Sequence, residues 1–248
     1  VNRSEDLPLE LWRRHAALAP GEETVLHARL GAAGTVPEGG RWPMALLNHV
    51  VAGAGFTVAQ RPDGTDRVAA DGCDTWTLRR ERTLADTVGA GMSLLLVGLN
   101  PSLYAADAGV GFARPGNRAW PALLAAGVAP ADRDPVALLA AGVGMSDLAK
   151  RATPRAGELT PAELRDGLAR LDALCAWLRP GAVCVLGVTG WRAATGDRGA
   201  VLGPQERTLG GRPVHVAPNP SGANAHTSVR DLVDHLRAAL ALGSDRAR

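Results

Sequence analysis

The chain has 248 residues, 46% of them apolar and 21% charged, with a formal net charge of +2. This is room for one large domain or two small ones with an ample core, and the near-balanced charge neither demands nor excludes nucleic acid. Three cysteines (Cys73, Cys175, Cys184) have no zinc spacing and are too few for a four-thiolate cluster or a disulfide framework, so no metal is expected and a reducing compartment is.

The N-terminal ninety residues predict two helices, Leu7–Leu18 and Pro43–Ala52, then short β pieces around Phe56–Ala59 and Thr75–Leu78. Gly53-Ala54-Gly55-Phe56 follows a helix, not a strand, and reads as a helix C-cap rather than a nucleotide loop. The end of this region faintly resembles the C-terminal part of a methyltransferase fold. The cofactor-binding half of such a fold is absent, so no such activity follows. A seam is expected near Thr87–Gly91, dividing a 1–90 extension from a 91–243 domain with a short tail at 244–248.

Beyond the seam, strands and helices alternate. Leu94–Leu99 and Ala182–Leu186 are continuous apolar runs, as strands buried on both faces are. Ala119–Ala126 is a short helix and Val143–Leu148 a strand or strand end. Thr160-Pro161-Ala162-Glu163 is a capping box that opens a helix with Leu164, Leu168, Leu171, Leu174 and Leu178 on one stripe. Thr189–Ala194 is helical, Pro213–Ala217 a strand, and Ser228–Leu242 an amphipathic helix with Ser228 at its N-cap. Cys175 and Cys184 fall among apolar residues and read as core. The interleaving predicts an α/β fold: a mostly parallel sheet covered on both faces, preceded by an α+β extension.

Two strands end in matching polar turns, Asn100-Pro101-Ser102 and Asn219-Pro220-Ser221, and a third ends in Gly144-Met145-Ser146-Asp147. In a parallel sheet all three open on one edge, where open α/β sheets bind ligands. One Asn-Pro turn is a weak signal, since both residues form turns readily. Two at parallel strand ends, with a carboxylate on a third, say more.

Gly98-Leu99-Asn100-Pro101, then Phe112 through Trp120 (FARPGNRAW), then Asn219-Pro220-Ser221-Gly222, resemble in order and spacing the mismatch-specific uracil/thymine DNA glycosylase family of the uracil-DNA glycosylase superfamily, over about residues 93–240. The resemblance implies a three-layer α/β/α sandwich with a short central sheet. It also implies hydrolysis of the bond between a damaged pyrimidine and deoxyribose after the base is flipped out of the helix. By that pattern Asn100 holds the attacking water and Phe112 stacks on the flipped ring. Leu99, Ser102 and Asn219 border the base, and Arg114, Asn117, Arg118, Ser221, Gly222, Ala223, Asn224 and His226 lie toward the DNA, with Arg151 and Arg155 as further phosphate candidates.

Asp147 stands where the family often has Lys or Asn. A carboxylate there is able to activate the water; the competing readings are a helix N-cap and a partner for Arg151. Ser102 replaces a common glycine. Ala223 occupies the wedge position and is a poor wedge, which favours activity on single-stranded uracil over strict mismatch recognition. Water is the nucleophile, so no cofactor is implied, and Lys150, the sole lysine, is outside the matched motifs. The expected enzyme is a monofunctional, monomeric glycosylase acting on DNA. With no apolar run of roughly 20 residues and no signal-peptide core in VNRSEDLPLELW, it is expected at the cytoplasmic nucleoid and not at a membrane. The alternatives are a damage-binding module of weak activity and a nucleoside-hydrolysing enzyme.

Overall fold

A computed structural model describes residues 4–60 apart from 33, 35 and 39, and residues 73–244 apart from 223, 225 and 226. The N-terminal part contains α1 (Leu7–Ala17), β1 (Glu23–Leu30), β2 (Arg41–Trp42), α2 (Met44–Gly53), β3 (Phe56–Gln60) and β4 (Asp74–Arg80). Its sheet has the order β2-β1-β4-β3, antiparallel except for the β1–β2 pair. Gly55 sits at φ +81° directly after α2, so the Gly-Ala-Gly-Phe segment is a helix exit into β3. Sequence reading missed β1 and β2, although β1 alternates, with Leu26 and Ala28 inward.

The second part runs β5 (Leu94–Gly98), α3 (Leu103–Ala108), α4 (Ala119–Ala125), α5 (Pro135–Ala140), β6 (Val143–Asp147), α6 (Pro161–Leu178), β7 (Ala182–Leu186), α7 (Val188–Thr195), β8 (Gly203–Leu209), β9 (Arg212–Ala217) and α8 (Val229–Ser244). The sheet order is β6-β5-β7-β9-β8, parallel except for β8 on the edge. Strand residues alternate between two cores. Leu95, Val97, Val183, Val185, Val214 and Val216 face one core with α2, α6 and α7. Leu94, Leu96, Cys184 and Ala217 face the other with α4 and α8. This is the expected three-layer α/β/α sandwich.

Helix ends follow the sequence. Thr160 and Glu163 form the complete capping box of α6, and Ser228 Oγ accepts from the Asp231 amide at 3.1 Å. Burial pushes both core thiols, Cys175 and Cys184, up to about 12, which keeps them unreactive.

The N-terminal sheet does not stand apart from the sandwich. Trp42 meets Trp177 of α6 edge to face with ring centroids 5.1 Å apart, and Leu11, Leu47 and Trp76 share the α6 core. The stretch Thr83–Val88, which runs into the expected seam, is buried, and Thr87, the first residue of that seam, is bridged to Met145 of β6. Among the described residues no helix is long and apolar enough to cross a membrane.

Candidate active site

Parallel pairing sets Gly98 of β5 opposite Asp147 of β6, and the ladder continues as Leu148 and Ala149 donate to the carbonyls of Gly98 and Leu99 at 2.9 Å. The chain leaves β5 as Leu99-Asn100-Pro101-Ser102 and β9 as Pro218-Asn219. A cavity of about 190 Å³ opens between these ends. Leu99, Asn100, Ser102, Phe112, Arg114, Asn117, Asp147, Asn219 and Ser221 all line it. That volume is below the roughly 300–1,000 Å³ of pockets for drug-sized ligands, and suits a single small ring.

Gly98 makes the arrangement possible. A Cβ there would run into Asp147 Oδ1 and come within 3.2 Å of Phe112 Cζ. Phe112 itself has φ +58°, a left-handed conformation uncommon for a bulky residue. Buried Trp120 holds the loop by donating its indole N–H to the Gly111 carbonyl at 2.7 Å. Sequence reading placed Trp120 inside the motif without a role; its bond to Gly111 is that role.

Asn100 is oriented by acceptors. Its Nδ2 donates to the Arg151 carbonyl at 2.9 Å, to Thr153 Oγ1 at 2.8 Å and to the Pro101 carbonyl at 3.2 Å, and Thr153 Oγ1 in turn donates to the Arg155 carbonyl at 3.0 Å. A carbonyl only accepts, so the amide nitrogen must face it. Oδ1 remains an acceptor at the cavity wall, to which no described residue donates. Thr153, buried and lining the cavity, was missed from sequence because its partner Asn100 lies 53 positions away.

Asp147 is 5% exposed, and no described residue donates to its carboxylate. It caps no helix. Arg151 pairs instead with Glu163 at 2.5 Å, so both competing readings of Asp147 fail. Burial lifts its carboxyl to about 6; Lys150 opposes the rise, Asp86 adds to it and Arg170 opposes it. A carboxyl with that proton affinity is mostly ionised at neutral pH yet basic enough to accept a proton.

The remaining predicted residues divide. Ser102 Oγ caps α3, accepting from the Ala105 amide at 3.2 Å. Asn117 Oδ1 accepts from the Ala119 amide at 2.9 Å and so starts α4. Asn219 Oδ1 accepts from the Ser221 amide at 2.9 Å, which leaves its Nδ2 available to a ligand. Arg114 is exposed at the rim. Arg118 donates to the Asn224 carbonyl at 2.8 Å and clamps the loop after β9. Asn224 stays within that loop, donating to the Asn219 carbonyl at 3.0 Å and to Thr227 Oγ1 at 2.7 Å. Gly222 approaches Gly116 so closely that a Cβ would sit 2.9 Å from its carbonyl oxygen. Ala223 and His226 lie outside the described residues. Arg155 is exposed, and Lys150 does not line the cavity.

A second, more open cavity of about 720 Å³ adjoins the first along the same sheet edge. It shares Leu99, Leu186, Asn219 and Ser221 with it and extends past Gly187–Gly190 at the start of α7. Among the described residues no cluster of three or more His, Cys, Asp or Glu is placed to hold a metal.

The solution NMR structure of a provisionally assigned uracil DNA glycosylase from Methanosarcina acetivorans is similar to this chain at 18% sequence identity and a TM-score of 0.47, over 65% of this chain and 97% of that one. The family model of the Uracil DNA glycosylase superfamily matches residues 86–241, a span that takes in β5 to β9 and every described residue of the cavity wall except Leu84. The chain belongs to the uracil DNA glycosylase superfamily and is a DNA glycosylase.

Proposed function

We propose that the chain removes uracil from DNA as a monofunctional glycosylase, flipping the nucleotide into the 190 Å³ cavity and leaving an abasic site. The observation that carries this reading is the convergence of an oriented amide oxygen on Asn100, an unpartnered carboxylate on Asp147 and the Phe112 ring on one small cavity.

Phe112 stacks on the flipped ring, and the free Nδ2 of Asn219 reaches the base or its phosphate. As the bond from C1′ to N1 lengthens, its electron pair leaves with the base and the sugar gains oxocarbenium character. The Asp147 carboxylate stabilises that charge. Asn100 Oδ1 and Asp147 hold a water; its oxygen bonds to C1′ while its proton passes to Asp147. The departing pyrimidine anion takes a proton from solvent. The groove beyond Asn219 takes the DNA backbone. Lyase chemistry has no amine here, since Lys150 Nζ is ion-paired to Asp86 at 2.7 Å.

The test is a labelled oligonucleotide carrying one uracil, incubated with the protein and then alkali. Strand scission at that position is expected in single-stranded and U·G substrates, with little release from T·G. No scission in any uracil context overturns the reading, and strong preference for T·G overturns its lesion choice. Activity on free deoxyuridine alone identifies a nucleoside hydrolase instead.

A further inference from the structure

Behind the cavity wall lies a buried ionic cluster that the reaction itself does not touch. Asp86, 3% exposed, receives Lys150 Nζ at 2.7 Å and Ser146 Oγ at 2.8 Å on Oδ1, and Arg170 at 2.6 Å on Oδ2. Arg170, 4% exposed on α6, donates its other terminal nitrogen to the Asp147 carbonyl at 2.6 Å and to Ser146 Oγ at 3.1 Å. The last two residues of β6 are therefore gripped by a guanidinium that is itself held by Asp86. From the N-terminal part, Gly53 closes the cluster. Its carbonyl accepts from the Asp86 amide at 2.8 Å, and a Cβ on it would strike Asp86 Oδ2 and lie 2.8 Å from the Arg170 guanidinium.

We propose that Asp86, Lys150 and Arg170 are positioning residues that fix Asp147 and set the balance of charge behind its carboxylate, with α2 sealing them from water. This rests on the reading of Asp147 as the group that accepts the water's proton. Burying ions is unfavourable unless each is paired, and the pairing here is asymmetric. Two cations stand beside Asp147, and one carboxylate, Asp86, offsets one of them. The titratable and charged groups facing Asp147 are Lys150, Asp86 and Arg170; His49 of α2 faces Arg170 in turn, and His15 of α1 faces Lys150.

The asymmetry fixes the signs. Asp86→Asn keeps most of the shape but leaves two uncompensated cations, so Asp147 ionises more readily. Lys150→Met leaves the neutral Asp86–Arg170 pair, so Asp147 ionises less readily. A role in stability alone does not produce opposite shifts.

The experiment is a carboxyl-carbon NMR titration of Asp147 in the full chain, assigned with Asp147→Asn, together with the pH profile of single-turnover uracil release. The expected results are a fall of about one pH unit in Asp86→Asn and a rise of about one in Lys150→Met, in both the titration and the acid limb of the rate. Lys150, at the edge of the cluster, keeps the test valid if Asp86→Asn does not fold. An unchanged titration in Lys150→Met, or shifts of the same sign in both variants, overturns the proposal. An acid limb that persists in Asp147→Asn overturns the catalytic reading instead, while the NMR titration still decides the role of the cluster.

Discussion

The amide nitrogen of Asn100 is fixed by three acceptors, whereas the carboxylate of Asp147 has no described donor and is placed only through its backbone and the charges behind it. Asp147→Asn should slow single-turnover uracil release at pH 7.5 by about 100-fold or more, the usual scale for a lost general base. Asn100→Ala should slow it less, because the carboxylate still holds the water; the reverse order of effects contradicts the assignment. The same carboxylate also costs stability. Its proton affinity is raised on folding from 3.8 to about 6, so between those values the folded state binds the proton more tightly and stability falls as pH rises. Asp147→Asn should therefore raise stability at pH 7.5 by up to about 3 kcal/mol, a gain that vanishes near pH 4 and is read by denaturant unfolding at each pH. A second buried group works in the opposite sense. His215 bonds His235 across 2.8 Å, and burial followed by the neighbouring His235 lowers it to about 4. The unfolded state then binds the proton better, so this group's contribution is lost as pH drops from about 6.5 toward 4. His215→Phe should flatten that part of the stability curve relative to wild type, measured by urea midpoint.

At the level of elements, local signals served well and long-range pairing did not. The Thr160–Glu163 box, the leucine stripe of α6 and the runs of β5 and β7 were legible because each depends on neighbours within a turn or on burial of a whole strand. Thr160→Ala should cost about 1 kcal/mol, checked by thermal unfolding, without changing the rate of uracil release. Helix α5 was missed although Asp134 caps it and Pro135 opens it. Edge strand β8 was missed because its residues are mostly polar and exposed. In the site, the strand-end turns pointed to Asn100, Asp147 and Asn219, and these do line one cavity. Arg118 and Asn224 look like DNA-facing groups in sequence, but their donors hold the loop after β9. Asp86 was invisible as a site residue because its partners Ser146, Lys150 and Arg170 are 60 to 84 positions away.

For the whole molecule, the cut that the seam at Thr87–Gly91 suggests crosses the most heavily charged part of the core. A fragment beginning at residue 91 keeps Lys150 and Arg170 but lacks Asp86, and it bares the α6 face that Trp42, Leu47 and Leu11 cover. Leaving a buried charge without its partner typically costs about 3–5 kcal/mol, a large share of the roughly 5–15 kcal/mol that holds a domain together. The fragment should show no cooperative thermal transition by circular dichroism at temperatures where the full chain is folded. A sharp native-like transition would mean that the first ninety residues are dispensable for folding.

The contact between Trp42 and Trp177 also bears on how the chain is made. Synthesis delivers the N-terminal sheet first, yet the helix that covers its inner face ends at Leu178. On a ribosome, β1 to β4 emerge long before α6 does, with their apolar side bare and the Asp86 carboxylate still solvated. Such distant contacts close slowly, and bare strands are open to intermolecular pairing in the interval. Productive folding of this glycosylase is therefore tied to the emergence of α6, and conditions that stall the ribosome between the codons of Trp42 and Trp177 should favour aggregation over native protein.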